Sequence, residues 1–249
     1  MNKIKRLLSK ITSKEKVFIT KRGNDSIKQS LRYCKEHGYH RLFIQDQGGW
    51  MTYPQYAERL KLNFDFADTD YGIVEGRFSS CILLINTMPG YAYLQDVSKV
   101  SVENSIVIND VSGSIGHKQC QWGDIIIGSF GVRKPVNYGQ FGFIATDLDM
   151  KTDEATMTQR EEEELLKKLL GLKKRIEQLG KITHRIKNDL KDYDIVHPKL
   201  EGINVIIKCD EKKRQEIIEY CDKQGYEFTL CPRYIRINEP GISIEVKRL

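Results

Sequence analysis

The sequence predicts an α/β protein with a mainly parallel sheet flanked by helices, a long connecting helix and a small α+β C-terminal domain. Three observations carry this expectation. Strand-like apolar segments alternate with helical or loop segments through the first 150 or so positions, the order typical of a parallel sheet with helices on its faces. From Thr158 to about Lys191, Leu165, Leu169, Leu172, Ile176, Leu179, Thr183, Ile186 and Leu190 form a near-heptad apolar seam. After Pro198 the pattern changes to one strand, one helix and three further strands, a unit small enough to need a larger neighbour.

Taken in order, residues 1 to about 15 place Ile4, Leu7, Leu8 and Ile11 on one helical face with lysines opposite. Such a helix suits packing on its own domain or on a second subunit, with a membrane-surface helix as the rival. A strand over Lys16 to Thr20 precedes a helix over Asp25 to His37. Next come a strand from Arg41 to Gln45, a polar turn from Asp46 to Gly49 and a helix from Pro54 to Leu60. Further strands are expected at Phe64 to Ala67, Ser80 to Ile85, Ser105 to Ile108, Asp124 to Ser129 and Gly142 to Thr146. In the long helix the acidic run Glu161 to Glu164 suits the positive N-terminal end. Gly171 and Gly180 each cost about 1 kcal/mol inside a helix, which favours a stripe packed on the protein over a free coiled coil. The C-terminal unit reads as strand Gly202 to Lys208, helix Glu211 to Gln224, and strands Glu227 to Leu230, Tyr234 to Asn238 and Ile242 to Val246. The expected division is a large domain over residues 1–157, the connecting helix over 158–191 and the small domain over 192–249, with a cleft between the domains.

Composition narrows the function classes. The 249 residues carry 40 Lys and Arg against 34 Asp and Glu, a formal charge of +6, and 40% are apolar. That is an ordinary globular balance. No apolar run approaches the roughly 20 residues of a membrane span, and the basic N-terminus lacks the apolar core of a secretory signal; a cytoplasmic protein is expected. The lysines are interleaved with glutamates and no nucleic-acid-binding motif is present, so nucleic acid is not an expected partner. The cysteines Cys34, Cys81, Cys120, Cys209, Cys221 and Cys231 are scattered, with no zinc-site spacing, and read as reduced buried thiols with no metal site.

The chemistry concentrates between Ile106 and Thr146. Asp110 ends one strand in Ile106-Val-Ile-Asn-Asp110-Val-Ser-Gly113-Ser-Ile-Gly116. Ser129, and Lys134 five residues later, leave the next strand in Gly123-Asp-Ile-Ile-Ile-Gly-Ser129-Phe-Gly-Val-Arg-Lys134. Charged groups at the carboxyl ends of neighbouring strands occupy the edge where open α/β sheets bind ligands.

This stretch resembles the DegT/StrS family of pyridoxal-phosphate-dependent aminotransferases, which act largely on keto-sugars and have the type I fold. The chain is shorter than usual members, and the match is specific from Asp110 to Thr146. The resemblance implies pyridoxal phosphate held as a Schiff base on Lys134, with Asp110 pairing the cofactor's pyridine nitrogen and Ser129 near its phosphate. It also places Gly23 and Asn24, in Arg22-Gly-Asn-Asp-Ser-Ile27, at the phosphate-binding turn, where a helix N-terminus favours an anion. Either Trp50 or Tyr53, in Gln47-Gly-Gly-Trp50-Met-Thr-Tyr53, would stack on the ring, and Trp50 is preferred. Arg236 or Arg233 of the C-terminal unit would hold a substrate carboxylate through its planar fork.

Type I enzymes share their active sites between subunits, so a homodimer is implied. Departures from the family pattern occur where its His falls near Thr87, where its polar residue after the aspartate is Gly113, and where an acid is absent from Gly139-Gln140-Phe141-Gly142. The chemistry accounts for the residue types. A lysine amine forms an imine with the cofactor aldehyde and later shuttles a proton, while a carboxylate keeps the pyridine nitrogen protonated so the ring accepts electrons. The expected activity is transfer of an amino group from an amino acid such as glutamate to a keto-sugar or other keto acceptor. The alternatives are a lyase or dehydratase, and a binding or regulatory protein that retains the fold.

Overall fold

The computed structural model covers residues 1–249. Helix α1 (Asn2–Thr12) leads into strand β1 (Lys16–Thr20), helix α2 (Gly23–Glu36), strand β2 (Arg41–Gln45), helix α3 (Thr52–Arg59) and strand β3 (Asn63–Ala67). Strands β4 (Gly76–Ser79), β5 (Ile82–Asn86), β6 (Val100–Glu103), β7 (Ile106–Asp110), β8 (Ile125–Ser129) and β9 (Gly142–Thr146) complete the large unit. Helices α4 (Gln159–Leu170) and α5 (Leu172–Asp189) follow, then β10 (Asp194–Ile195), β11 (Val205–Lys208), α6 (Glu211–Gln224), β12 (Phe228–Cys231) and β13 (Gly241–Ile244).

Seven strands form the central sheet in the order β1-β9-β8-β7-β5-β2-β3. Strand β9 runs antiparallel to both its neighbours, and the other pairings are parallel. The central strands read as continuous apolar runs because helices and loops cover both faces, and every residue of β5 and β7 is buried. Successive side chains still alternate between faces. Val17, Ile19, Ile126, Phe143 and Ala145 pack with α1 and α4, whereas Ile44, Ile108, Ile125, Ile127 and Ile144 pack with α2 and α3. A short parallel pair, β4 with β6, lies outside this sheet.

The N-terminal helix lies on its own domain. Ile4 and Leu8 are buried against the sheet and α4, so the membrane-surface alternative does not hold. The long helix of the sequence reading is two helices that meet at Gly171, where the backbone turns at ψ −4°. The break has a packing reason. Leu165, Leu169 and Leu172 join the large-domain core, while Leu179, Ile186 and Leu190 join the core of the small domain. Helix α4 opens with a reciprocal capping box between Thr158 and Glu161.

The C-terminal sheet has the order β10-β11-β13-β12 and is antiparallel throughout. The strand expected over Tyr234 to Asn238 is instead an irregular turn tied down by Arg233 N donating to Ile237 O at 2.7 Å and by Tyr234 Oη donating to Gln45 O at 3.0 Å. Tyr234 is tied to Gln45 and Gly48 of the large domain, while Arg236 and Ile237 turn into the C-terminal unit, so no strand neighbour is met. No helix is long and apolar enough to cross a membrane.

Candidate functional site

The carboxyl ends of β1, β5, β7 and β8 meet at one edge of the sheet, and there a cavity of about 480 Å³ opens. Its walls include Gly23, Asn24, Trp50, Asp110, Ser129 and Lys134. The structure thus brings six of the sequence-predicted site residues into one cavity, although they span more than a hundred positions of chain.

At the base, Asp110 closes β7 and is 6% exposed. One carboxylate oxygen accepts from Tyr53 Oη at 2.6 Å and the other from Ser112 N at 2.9 Å. These bonds fix the orientation of the acid. Burial, reinforced by the adjacent Asp110 charge, pushes the Tyr53 phenol well above its ordinary range, so it stays a proton donor. Tyr53 is fully buried under the acid and does not line the cavity, so of the two predicted aromatics Trp50 is the one on its wall, together with Tyr91 and Phe141. Trp50 Nε1 donates to Asn24 Oδ1 at 3.0 Å and Thr52 Oγ1 donates to the same oxygen at 3.3 Å.

At the other end, α2 begins at Gly23 directly after β1. Its first turn carries no capping side chain, the arrangement that leaves amide donors for an anion. Gly23 is required there by close approach, since a Cβ would lie 2.6 Å from Ser129 Cβ and 2.9 Å from Ser129 Oγ. Ser129 Oγ itself accepts from Gly131 N at 3.2 Å. Lys21 and Arg22 add positive charge to this wall.

Lys134 projects between two rings, with Nζ 4.7 Å from the Trp50 centroid and 4.5 Å from the Tyr91 centroid. It also donates to Tyr91 Oη. Several residues around this amine hold left-handed backbone: Tyr91 at φ 62°, Arg133 at 65° and Phe141 at 65°. Strained conformations of this kind cluster at functional sites, where the surrounding structure over-determines them.

Two predicted residues are not brought to the cavity. Arg236 is 2% exposed and locked in a bidentate pair, with Nε donating to Glu245 Oε1 and Nη2 to Glu245 Oε2, each at 2.7 Å. Arg233 lies exposed in the turn before it. The expected strand alternation fails there because the segment is not a strand. The cavity lining ends at Phe141, so no residue of the C-terminal sheet lines it.

Sequence reasoning passed over Tyr91, Asn86 and Ser112, all of which line the cavity. Asn86, and not its neighbour Thr87, faces the site; Thr87 is buried in a 2.7 Å hydrogen bond with Ser114. The position of Asn86 at the end of β5, in register with Asp110 of β7, was the available signal.

Behind Tyr91 lies a buried ionic cluster from the small domain. Burial works to raise the Glu245 carboxyl, but hydrogen bonds and charge from Arg236, with Lys247 and Arg248 beside it, bring it down to about 2. Burial pushes the Lys247 ammonium down to about 7 despite the pull of Glu245.

The family model described as the MJ1341 family C-terminal domain matches residues 173–249, which is α5 and the small domain. No curated protein sequence matches the chain. Among solved structures, a DegT DnrJ EryC1 StrS aminotransferase from Brucella abortus superposes with a TM-score of 0.70 at 14% identity, covering 98% of this chain and 84% of that one. Helicobacter pylori PseC, an aminotransferase involved in pseudoaminic acid biosynthesis, gives a TM-score of 0.69 at 13% identity over 98% and 85%. GDP-4-keto-6-deoxymannose-3-dehydratase gives 0.67 at 11% over 98% and 87%. The chain therefore has the mixed α/β fold of these aminotransferases and of the dehydratase, as the Asp110 to Thr146 pattern leads one to expect.

Proposed function

We propose that the protein binds pyridoxal phosphate and transfers an amino group from an amino acid to a keto acceptor, with Lys134 as the reacting amine. The observation that carries this reading is the joint placement of Lys134, Asp110 and the uncapped start of α2 around one cavity. The residues fit the cofactor by its chemistry. A phosphate suits the α2 N-terminus with Ser129, Asn24 and Arg22; an aromatic ring suits the wall made by Trp50; a ring nitrogen suits Asp110. When bound, pyridoxal phosphate supplies an aldehyde and an electron-accepting ring.

The chain's own groups do the rest. Asp110, held in place by Tyr53 and Ser112, would pair with the ring nitrogen and favour its protonated form. Lys134 Nζ would anchor the cofactor at its aldehyde, and the same amine is placed to carry a proton to and from the amino donor's Cα. Trp50 excludes water from one side. Lysine at position 134 supports transfer over dehydration, because the proton shuttle of a transferase is an amine that also anchors the cofactor.

The acceptor is proposed as a keto-sugar on the likeness to sugar aminotransferases, and the working form as a homodimer. Incubation of the full chain with pyridoxal phosphate, borohydride reduction and peptide mass mapping tests the reading. A cofactor adduct on Lys134, absent in Lys134→Ala, and a visible absorbance that shifts on adding glutamate are expected. An adduct elsewhere, or none, leaves a protein that keeps the fold for binding alone.

A further inference from the structure

Tyr91 occupies an unusual place. It is 5% exposed yet lines the cavity, and its backbone lies at φ 62°, a region costly for an aromatic residue. The conformation is pinned from several sides. Tyr91 N donates to Met88 O at 2.9 Å, and Tyr91 O accepts from Ile203 N at 2.8 Å, a bond from the small domain. The ring rests on Gly113, where a Cβ would lie 2.8 Å from Tyr91 Cδ1 and 3.1 Å from Cε1. The Tyr91 ring fills the space that any side chain at position 113 would need.

The other surroundings of the ring are cationic. Lys247 Nζ lies 4.8 Å and the Arg236 guanidinium 5.6 Å from its centroid, both supported by Glu245. The hydroxyl meets Lys134 Nζ. Asn204 of the small domain ties the same turn down by donating to Gly90 O at 3.1 Å.

We propose that Tyr91 is a positioning residue for Lys134, seated on Gly113 and backed by the Arg236–Glu245–Lys247 cluster, through which the small domain acts on the reacting amine. The proposal rests on the reading of Lys134 as that amine. The phenol oxygen holds the Lys134 nitrogen between the two rings, beside the cavity and not out in solvent. The small domain contributes no side chain to the cavity wall; it reaches the amine through this ring and, beside it, through Lys247, which donates to Arg133 O at 3.3 Å. Arg236 thereby has a role different from substrate binding: it supports Tyr91.

The hydrogen bond holds Lys134 Nζ against the Tyr91 phenol and away from an approaching acylating reagent, so its removal should raise reactivity. The test is competitive acylation of the full chain with limiting acetic anhydride after hydroxylamine treatment and gel filtration. Labelling of Lys134 is read by peptide mass against exposed Lys212. Loss of one hydrogen bond predicts labelling about threefold to tenfold faster in Tyr91→Phe, which keeps the ring on Gly113. Gly113→Ala removes no polar group but displaces the ring, and should raise labelling similarly. In the double variant the two effects should not add, since both break one contact.

Equal labelling in wild type and both variants would overturn the proposal. In the transfer assay Tyr91→Phe should lower kcat with KM for the amino donor little changed, and a KM effect alone would also overturn it. If wild-type Lys134 takes up no pyridoxal phosphate while the labelling pattern holds, the cofactor reading fails and the hold of Tyr91 on the amine stands.

Discussion

Replacing Glu245 by Gln removes one charge and almost no volume from the most buried ionic cluster of the molecule. Glu245 is 1% exposed and accepts from Arg236 twice at 2.7 Å, from Ser243 Oγ at 2.9 Å and from Asn204 Nδ2 at 3.3 Å. Lys247 and Arg248 lie within 3.5 Å of the same carboxylate. Without the carboxylate, Arg236 and Lys247 remain buried with no counter-charge, a loss of about 3–5 kcal/mol for a broken buried pair.

Titration gives a second route to the magnitude. The Glu245 carboxyl falls from 4.5 to about 2 on folding, which corresponds to about 3 kcal/mol of stability. The unfolded chain binds this proton more tightly than the folded one, so the contribution is complete above about 4.5 and is lost as pH falls toward 2. Urea unfolding followed by far-UV circular dichroism at pH 6 should therefore place the Glu245→Gln midpoint about 1 M below wild type. The difference should narrow as pH drops below 4.5. It should also be smaller at pH 9, where Lys247 is free to shed its proton. A midpoint within about 0.3 M of wild type at pH 6 would refute the account.

Other outcomes follow from the same geometry. Lys247 titrates at about 7 in the fold against an ordinary 10.5, so the unfolded chain holds the extra proton and stability should rise between about pH 7 and 10.5. Lys247→Met should abolish that rise and melt higher than wild type at pH 6, as read by differential scanning calorimetry. Gly23→Ala drives a Cβ to 2.6 Å from Ser129, and should weaken pyridoxal phosphate binding about tenfold or more in an absorbance titration, with helix content unchanged.

Much of this protein is legible in the chain itself. Periodicity locates the strands of the central sheet to within a residue or two, because strands buried on both faces are short apolar runs bounded by turns. The Asp110, Ser129 and Lys134 spacing places three groups at neighbouring strand ends, since local sequence sets where each strand stops. The same reasoning misplaced Tyr234 to Asn238, where bonds to Gln45 and the β2–α3 turn override a strand-like alternation. It extended one helix through Gly171, where the demands of two cores divide it.

The sequence by itself determined the layered α/β architecture, the small C-terminal unit and the lysine and aspartate of the cavity, all of which depend on contacts near in the chain or on strand order. Long-range packing alone sets the pairing of Arg236 with Glu245, the seating of Lys247 beside the Tyr91 ring, and the filling of the space at Gly113 by a ring distant in sequence. Those facts depend on which side chains meet across long loops. Burial, charge pairing and steric fit settle that between elements, and no local pattern records them.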